Sequence, residues 1–201
     1  HQISNRDARE GASSTPGGMR QWGISGGIEA VESATSGYEM HTSKFQTSNE
    51  RIERALLNIW QTEQGRKIIQ AIEADEDIGL ITLDISGSSP GSLRPFRNAM
   101  SAPLAYLFKK RNRVTNFEIL ANPGSSDNSF LDVDGAPFRS SLDRLVGHEL
   151  GHIHIFVKGG EVLMRYDQEG AVKIENIIAK QLDPTAPTRH LNIDHGYHFR
   201  Q

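Results

Sequence analysis

The chain has 201 residues, of which 36% are hydrophobic and 23% are charged, and 25 acidic against 22 basic residues give a net charge of −3. This acidic excess disfavours a protein that binds nucleic acid, since such proteins carry a basic excess, and no apolar run is long enough to predict a transmembrane helix. The lack of cysteine excludes disulfides, thiolate metal sites and cysteine nucleophiles. The first ten residues contain no apolar core, so no N-terminal export signal is expected.

The N-terminal half of the chain predicts a polar leading segment followed by a pair of helices. Residues 1–20 are rich in Gly, Ser and Pro, which predicts a flexible segment or linker, and one domain is expected over residues 21–201. Residues 22–48 carry weak signals, and a short strand or hairpin is expected there. Apolar residues at helical spacing predict a helix that starts at Ser48 and is broken at Gly65, after which a second short helix follows.

The middle of the chain predicts two strands separated by a loop. Residues 78–87 and 114–121 carry apolar residues in alternation, which predicts strands, and the segment 88–95 with its Pro and Gly residues predicts a loop. Pro103 interrupts any helix within residues 98–112. The two strands are expected to form a small twisted sheet beside the helices that follow, and an edge strand of such a sheet can bind an extended substrate by strand addition.

Two helices are predicted in the C-terminal third, and together with the strands they predict an α+β fold. Ser140 and Asp143, which are three residues apart, predict the N-terminus of the first helix, and the Gly-Gly pair at 159–160 predicts its end. Asp167 is expected to cap a second helix over residues 168–182. The remaining tail is rich in histidine and lacks a regular pattern.

The first of these helices carries an HExxH sequence, His148-Glu149-Leu150-Gly151-His152. Two histidines four residues apart project from one face of a helix with Cβ atoms about 6 Å apart, which suits two ligands of a tetrahedral zinc ion. Glu149 is expected on the open side of the metal, where it can take a proton from water. Because the helix is predicted to be buried, these side chains would be costly there without a partner. The motif therefore predicts a zinc site, and the alternative is a pair of surface histidines.

A zinc site of this type needs a third protein ligand, and a glutamate on the following helix is the first candidate. If the two helices run antiparallel, Glu175 lies opposite the histidines, and its place on an apolar stripe favours a cation partner. The alternative for Glu175 is an ion pair with Arg189 or Lys173. Glu169 and Asp167 are alternative ligands, although helix dipoles also favour acidic residues at such N-terminal positions.

Other histidines and the tail supply further candidates. His154 lies about 200° around the helix from His152, so a structural role is expected for it. His195 or His198 could replace the glutamate as third ligand.

The reaction also needs a donor that stabilises the negative charge developing on a carbonyl oxygen. Tyr197 and Arg189 are the candidates for this role, and the alternative is that both belong to an ordinary surface tail.

Four segments of the chain carry a family resemblance: residues 55–72 with Thr-x-x-Gly-Arg, residues 147–156 with HExxH, residues 171–182 with a Glu-Asn pair, and then Arg189 with Tyr197. In this order they resemble the HExxH zinc-metallopeptidase effectors and toxins of Gram-negative bacteria, which include type III secreted effector proteases and the toxin domains of type VI spike or Rhs proteins. The resemblance implies a zincin-like, gluzincin-like fold with one catalytic Zn²⁺.

It further implies peptide hydrolysis by a protein that is secreted or delivered into a target cell, within a larger secreted protein or bound by an immunity or chaperone protein. The function expected from the sequence is thus that of a zinc endopeptidase acting on a protein or peptide substrate, with no nucleic-acid or membrane partner. The alternatives are a zincin-like binding module without hydrolysis and a zinc amidase that acts on cell-wall peptides.

Overall fold

The computed structural model describes residues 20–21, 40, 42–96 and 114–191, and these residues form a mixed α+β fold, which confirms the predicted class. The helices are α1 (Glu50–Gln61), α2 (Glu63–Ala74), α3 (Leu142–Tyr166) and α4 (Gln168–Leu182). The strands are β1 (Arg20–Gln21), β2 (Phe45–Thr47), β3 (Ile78–Asp84), β4 (Gly91–Phe96), β5 (Thr115–Ala121), β6 (Phe130–Leu131) and β7 (Pro137–Phe138). None of the described helices is long and apolar enough to cross a membrane. The predicted flexible segment lies outside the described residues except at Arg20.

Five of the strands form one sheet in the order β1-β2-β3-β5-β4. Strands β2, β3 and β5 are parallel, whereas β1 and β4 run antiparallel to their neighbours at the two edges. Alternate residues of β3 and β5 are buried on the face that packs against the helices, among them Ile81, Phe117 and Ile119. The rings of Phe117 and Phe156 meet edge to face at 5.3 Å between centroids, which fixes β5 against α3. The sheet therefore lies beside the HExxH helix, as predicted.

The junction between α1 and α2 lies at Thr62, and not at Gly65 as the sequence predicted. Thr62 ends α1 and caps α2, because its hydroxyl donates to the Ile59 carbonyl at 2.7 Å and accepts from the Gly65 amide at 2.9 Å. Gly65 belongs to the first turn of α2, where a Cβ would lie well inside van der Waals contact of the Ile59 carbonyl. The Thr-x-x-Gly pattern is thus a helix junction in which a side chain at the fourth position has no room.

Residues 91–96 form strand β4, which corrects the predicted loop over 88–95. The strand pairs with β5 along its whole length, from Gly91 opposite Ala121 to Phe96 opposite Asn116. Pro95 is tolerated because an edge strand needs hydrogen bonds on one side only. The segment lacks a clear apolar alternation, so nothing in its own sequence indicated that β5 would hold it.

Helix α3 begins and bends at positions slightly different from those predicted. Its N-cap is Ser141, whose hydroxyl accepts from the Arg144 amide at 3.3 Å, while Ser140 is held through its backbone by Asn128. At Gly160 the backbone leaves the helical conformation with φ 72°, and a short helical segment follows to Tyr166. The glycine pair therefore ends the straight part of the helix, and Asp167 caps α4 as predicted.

Gly65→Ala is expected to lower the free energy of unfolding by about 2 kcal/mol or more, because the added methyl group forces α2 away from the Ile59 carbonyl. Urea unfolding followed by circular dichroism measures the change. Gly124→Ala is the matched control, since Gly124 is exposed and its Cβ would meet the Asn122 side chain at 3.3 Å. Equal stability of the two variants would contradict this account of the junction.

Candidate metal centre

Helix α3 presents Arg144, His148 and His152 along one face, one helical turn apart. All three are buried, with 4% to 6% of their surface exposed. The Nε2 atoms of the two histidines lie 3.1 Å apart, and their rings meet at 84°. Two nitrogen ligands of a tetrahedral zinc ion lie about 3.3 Å from each other when each metal–nitrogen bond is 2.0–2.1 Å. The two imidazoles thus converge to a separation that is close to that of two zinc ligands and that also suits a hydrogen bond between the rings.

Glu175 lies opposite the histidines, as the antiparallel register of α3 and α4 predicted, but it meets the other ring nitrogen. The Nδ1–H group of His148 donates to Glu175 Oε2 at 3.0 Å. Nδ1 is on the far side of the imidazole from Nε2, so this carboxylate faces away from the point where the two Nε2 atoms converge. In the structure the Glu175 carboxylate therefore contacts the side of His148 that faces away from His152, whereas the sequence predicted it among the metal ligands.

Two arginines hold the Glu175 carboxylate from its remaining sides. Arg144 donates to Oε1 from Nε at 3.0 Å and from Nη2 at 2.8 Å, and Arg189 donates to Oε2 from Nη1 at 2.9 Å. Burial alone would raise the pKa of Glu175, but His148, Arg189 and Arg144 outweigh it and lower this pKa to about 2. The pairing of Glu175 with Arg189 was the alternative left open by the sequence. The contact with an ionised Glu175 carboxylate requires a proton on His148 Nδ1, the ring nitrogen that does not face His152.

The arginines are themselves held by aromatic rings and by an amide. The β6–β7 hairpin places the Phe138 ring 4.6 Å from the guanidinium carbon of Arg144 and the Phe130 ring 3.9 Å from that of Arg189. Asn176 accepts from the Arg189 amide at 2.7 Å and donates to its carbonyl at 2.9 Å. These contacts fix the C-terminal segment around Arg189 against α4, next to the histidine pair.

Glu149, the central acid of the motif, is buried with 6% of its surface exposed. Burial raises the pKa of Glu149, His148 and Arg189 oppose this increase, and the neighbouring Glu175 carboxylate adds to it. The pKa of Glu149 is thus shifted toward neutral pH, where a carboxyl group can both accept and return a proton.

The alternative ligands Asp167 and Glu169 have other partners in the structure, and Arg189 contacts the Glu175 carboxylate. Asp167 caps α4 by accepting from the Gly170 amide at 2.8 Å, and Glu169 is exposed and pairs with Lys173 at 3.6 Å. His154 is buried, and its Nδ1 has no hydrogen-bond partner among the described residues, so its structural role stays a prediction. The sequence predicted that Arg189 stabilises negative charge on the carbonyl oxygen. In the structure its guanidinium group donates to the Glu175 carboxylate instead.

The candidates His195, Tyr197 and His198 lie outside the described residues. Within the residues that are described, no group of three His, Asp or Glu side chains is placed to hold a metal ion. Two imidazole Nε2 donors remain, one of them fixed by a carboxylate on its other nitrogen, which is the arrangement that zinc ligands commonly have. The two imidazoles would fit two ligand positions of a zinc ion, and the described residues supply no third ligand.

Three parts of the site were missed by the sequence argument. Arg144 precedes His148 by one helical turn on the same face, so its spacing could have indicated it. Phe130 and Phe138 gave no signal, because each belongs to a strand of only two residues. Asn176 was noted only as part of the Glu-Asn pair in the resemblance, and its hydrogen bonds to the Arg189 backbone were not predicted.

Comparisons of the chain with protein-family models, with curated proteins and with solved structures find no match.

Glu175→Gln is expected to destabilise the metal-free protein at pH 7 by about 3–5 kcal/mol, because Arg144 and Arg189 stay buried without their anion. Since the folded-state pKa of Glu175 lies below its ordinary value of 4.5, its stabilising contribution is present above pH 4.5 and is lost as the pH falls toward 2. The difference between the parent and the variant should therefore narrow on acidification. Urea unfolding with a chelator at pH 7, 4 and 3 measures it.

Glu169→Gln is the control for that series, because this exposed glutamate pairs with Lys173 only at the surface. Its effect should be small at every pH. A Glu175→Gln penalty that is absent, or that stays constant between pH 7 and 3, would contradict the proposed ionisation of the buried carboxylate.

Proposed function

We propose that this chain is a zinc-dependent endopeptidase with a zincin-like fold. The observation that carries the proposal is the buried pair of histidine Nε2 atoms 3.1 Å apart. The Nδ1 atom of His148 contacts the ionised Glu175 carboxylate, which fixes the orientation of the ring. The buried glutamate between the two histidines in the sequence supports the same conclusion, because catalysis of this type needs a base beside the metal.

His148 and His152 would hold the zinc ion through Nε2. When bound, zinc polarises a substrate carbonyl and lowers the pKa of a water molecule toward neutrality. Glu175 orients His148 through its Nδ1–H group, and Arg144 and Arg189 keep Glu175 ionised. His195 and His198 stay the candidates for a third ligand, and Tyr197 stays the candidate for stabilising negative charge on the carbonyl oxygen.

Glu149 is the general base and acid of the proposed reaction. Its carboxylate takes a proton from the attacking water and returns it to the leaving amide nitrogen. Burial raises the pKa of Glu149 above its ordinary value, and a carboxyl group whose pKa lies closer to neutral pH is better suited to return the proton.

Strand β4 provides the feature that favours an extended polypeptide as substrate. It lies at the edge of the sheet, pairs with β5 on one side, and has no strand on its other side among the described residues. Its first residue, Gly91, lies against the Glu149 carboxylate. A peptide that adds to this free edge would therefore run past the proposed base.

The resemblance to secreted effectors and toxins supports a proposal about where the enzyme works. We infer that it is delivered into another cell, as part of a larger secreted protein or with an immunity or chaperone protein as partner. Its substrate would then be a protein of the target cell.

Glu149→Gln is expected to retain stoichiometric zinc and to lower kcat by about 10²- to 10⁴-fold, because the amide cannot accept a proton. His148→Ala and His152→Ala should each lose zinc as well as activity. Zinc is measured by elemental analysis after dialysis, and cleavage is followed by mass spectrometry on a diverse peptide library. Peptidoglycan stem peptides assayed in parallel test the amidase alternative.

Cleavage at the parental rate by Glu149→Gln would refute the assigned base. A protein that binds stoichiometric zinc but cleaves neither kind of substrate would favour the binding module. A protein that holds no zinc after incubation with zinc and dialysis would overturn the proposed function altogether.

A further inference from the structure

Gly91, the first residue of β4, makes a close approach to the proposed base. A Cβ atom built on Gly91 would lie 2.5 Å from Glu149 Oε1, 3.5 Å from Cδ and 3.8 Å from Cγ. These are the three nearest atoms that it would meet, and all belong to one side chain. The Glu149 carboxylate thus occupies the space that a side chain at position 91 would take.

The backbone at Gly91 does not itself require glycine. The residue pairs in regular antiparallel register with Ala121, and the glycines with positive φ in the described residues are Gly87, Gly135 and Gly160. Any residue could adopt this strand conformation. The requirement for glycine therefore comes from the space in front of the strand, which the carboxylate fills.

We propose that Gly91 is a positioning residue for Glu149: the missing side chain lets the catalytic carboxylate rest against the start of the edge strand. The inference rests on the proposed function. A methyl group at this position would push the carboxylate oxygen by about 1 Å to restore ordinary contact. Glu149 is the part that yields, because the end of a side chain moves more easily than a paired strand.

The ligand histidines should not follow this movement. His148 is held by Glu175, and Glu175 is held by Arg144 and Arg189, none of which is among the nearest neighbours of the added methyl group. Displacement of the base should thus separate catalysis from metal binding. A misplacement of about 1 Å can lower a rate by about 10²-fold.

Gly91→Ala is expected to lower kcat by about 10²-fold, with KM for a cleaved library peptide and the zinc affinity both within about threefold of the parent. Zinc affinity is measured by competition with a chromogenic chelator. Gly124→Ala, which adds a methyl group at an exposed glycine, should change none of these values. A zinc affinity that falls together with kcat would mean a general disturbance of the site and would overturn the proposal.

A second measurement reads the contact without cleavage. The urea midpoint is compared with and without Gly91→Ala in two backgrounds, the parent and Glu149→Ala. The shift should be larger in the parent, because Glu149→Ala lacks the side-chain atoms that the added methyl group meets. Equal shifts in the two backgrounds would overturn the proposal, as would a raised KM with unchanged kcat, which would assign the space to the substrate. If the parent cleaves no peptide, the proposed function is refuted, and with it the catalytic part of this proposal. The unfolding comparison still decides whether Gly91 positions the Glu149 side chain.

Discussion

The ionised carboxylate of Glu175 is the interaction on which the rest of the centre depends. It accepts hydrogen bonds from His148 and Arg144 on α3 and from Arg189 in the C-terminal segment, so one buried anion joins three parts of the chain. An isolated carboxylate in this position would lose several kcal/mol of hydration free energy, and the three donors offset that loss. Two guanidinium groups against one carboxylate leave an excess of positive charge, which the buried Glu149 is close enough to reduce.

This arrangement determines what the two histidines can do. With its Nδ1 proton directed to Glu175, His148 turns Nε2 toward His152, whose Nε2 lies 3.1 Å away. Two lone pairs at this distance repel each other unless a proton or a metal ion lies between them. In the proposed centre a zinc ion would take both nitrogens as ligands, and the Glu175 carboxylate would increase the basicity of His148 Nε2. The aromatic hairpin and Asn176 then keep the supporting arginines in place.

The parts of this account that depend on local sequence could be predicted, and the parts that depend on distant contacts could not. The HExxH helix and the Asp167 cap follow from spacing within a few residues, and the antiparallel register correctly placed Glu175 near the histidines. The helix register does not show which ring nitrogen of His148 the Glu175 carboxylate contacts. That choice depends on Arg144 and Arg189, which lie 31 and 14 residues from Glu175 in the sequence. Strand β4 was missed because its pairing comes from β5 and its own pattern includes a proline. The contact between Gly91 and Glu149 depends on the position of that strand, so it could not be predicted from the sequence either.

X-ray absorption spectroscopy at the zinc edge of the metal-replete protein tests the central claim most directly. One zinc per chain with at least two imidazole nitrogens at about 2.0–2.1 Å is expected, and His148→Ala should show no such site, because it loses the bound zinc. A zinc ion coordinated only by water and carboxylate oxygen, or a spectrum unchanged by His148→Ala, would contradict the claim.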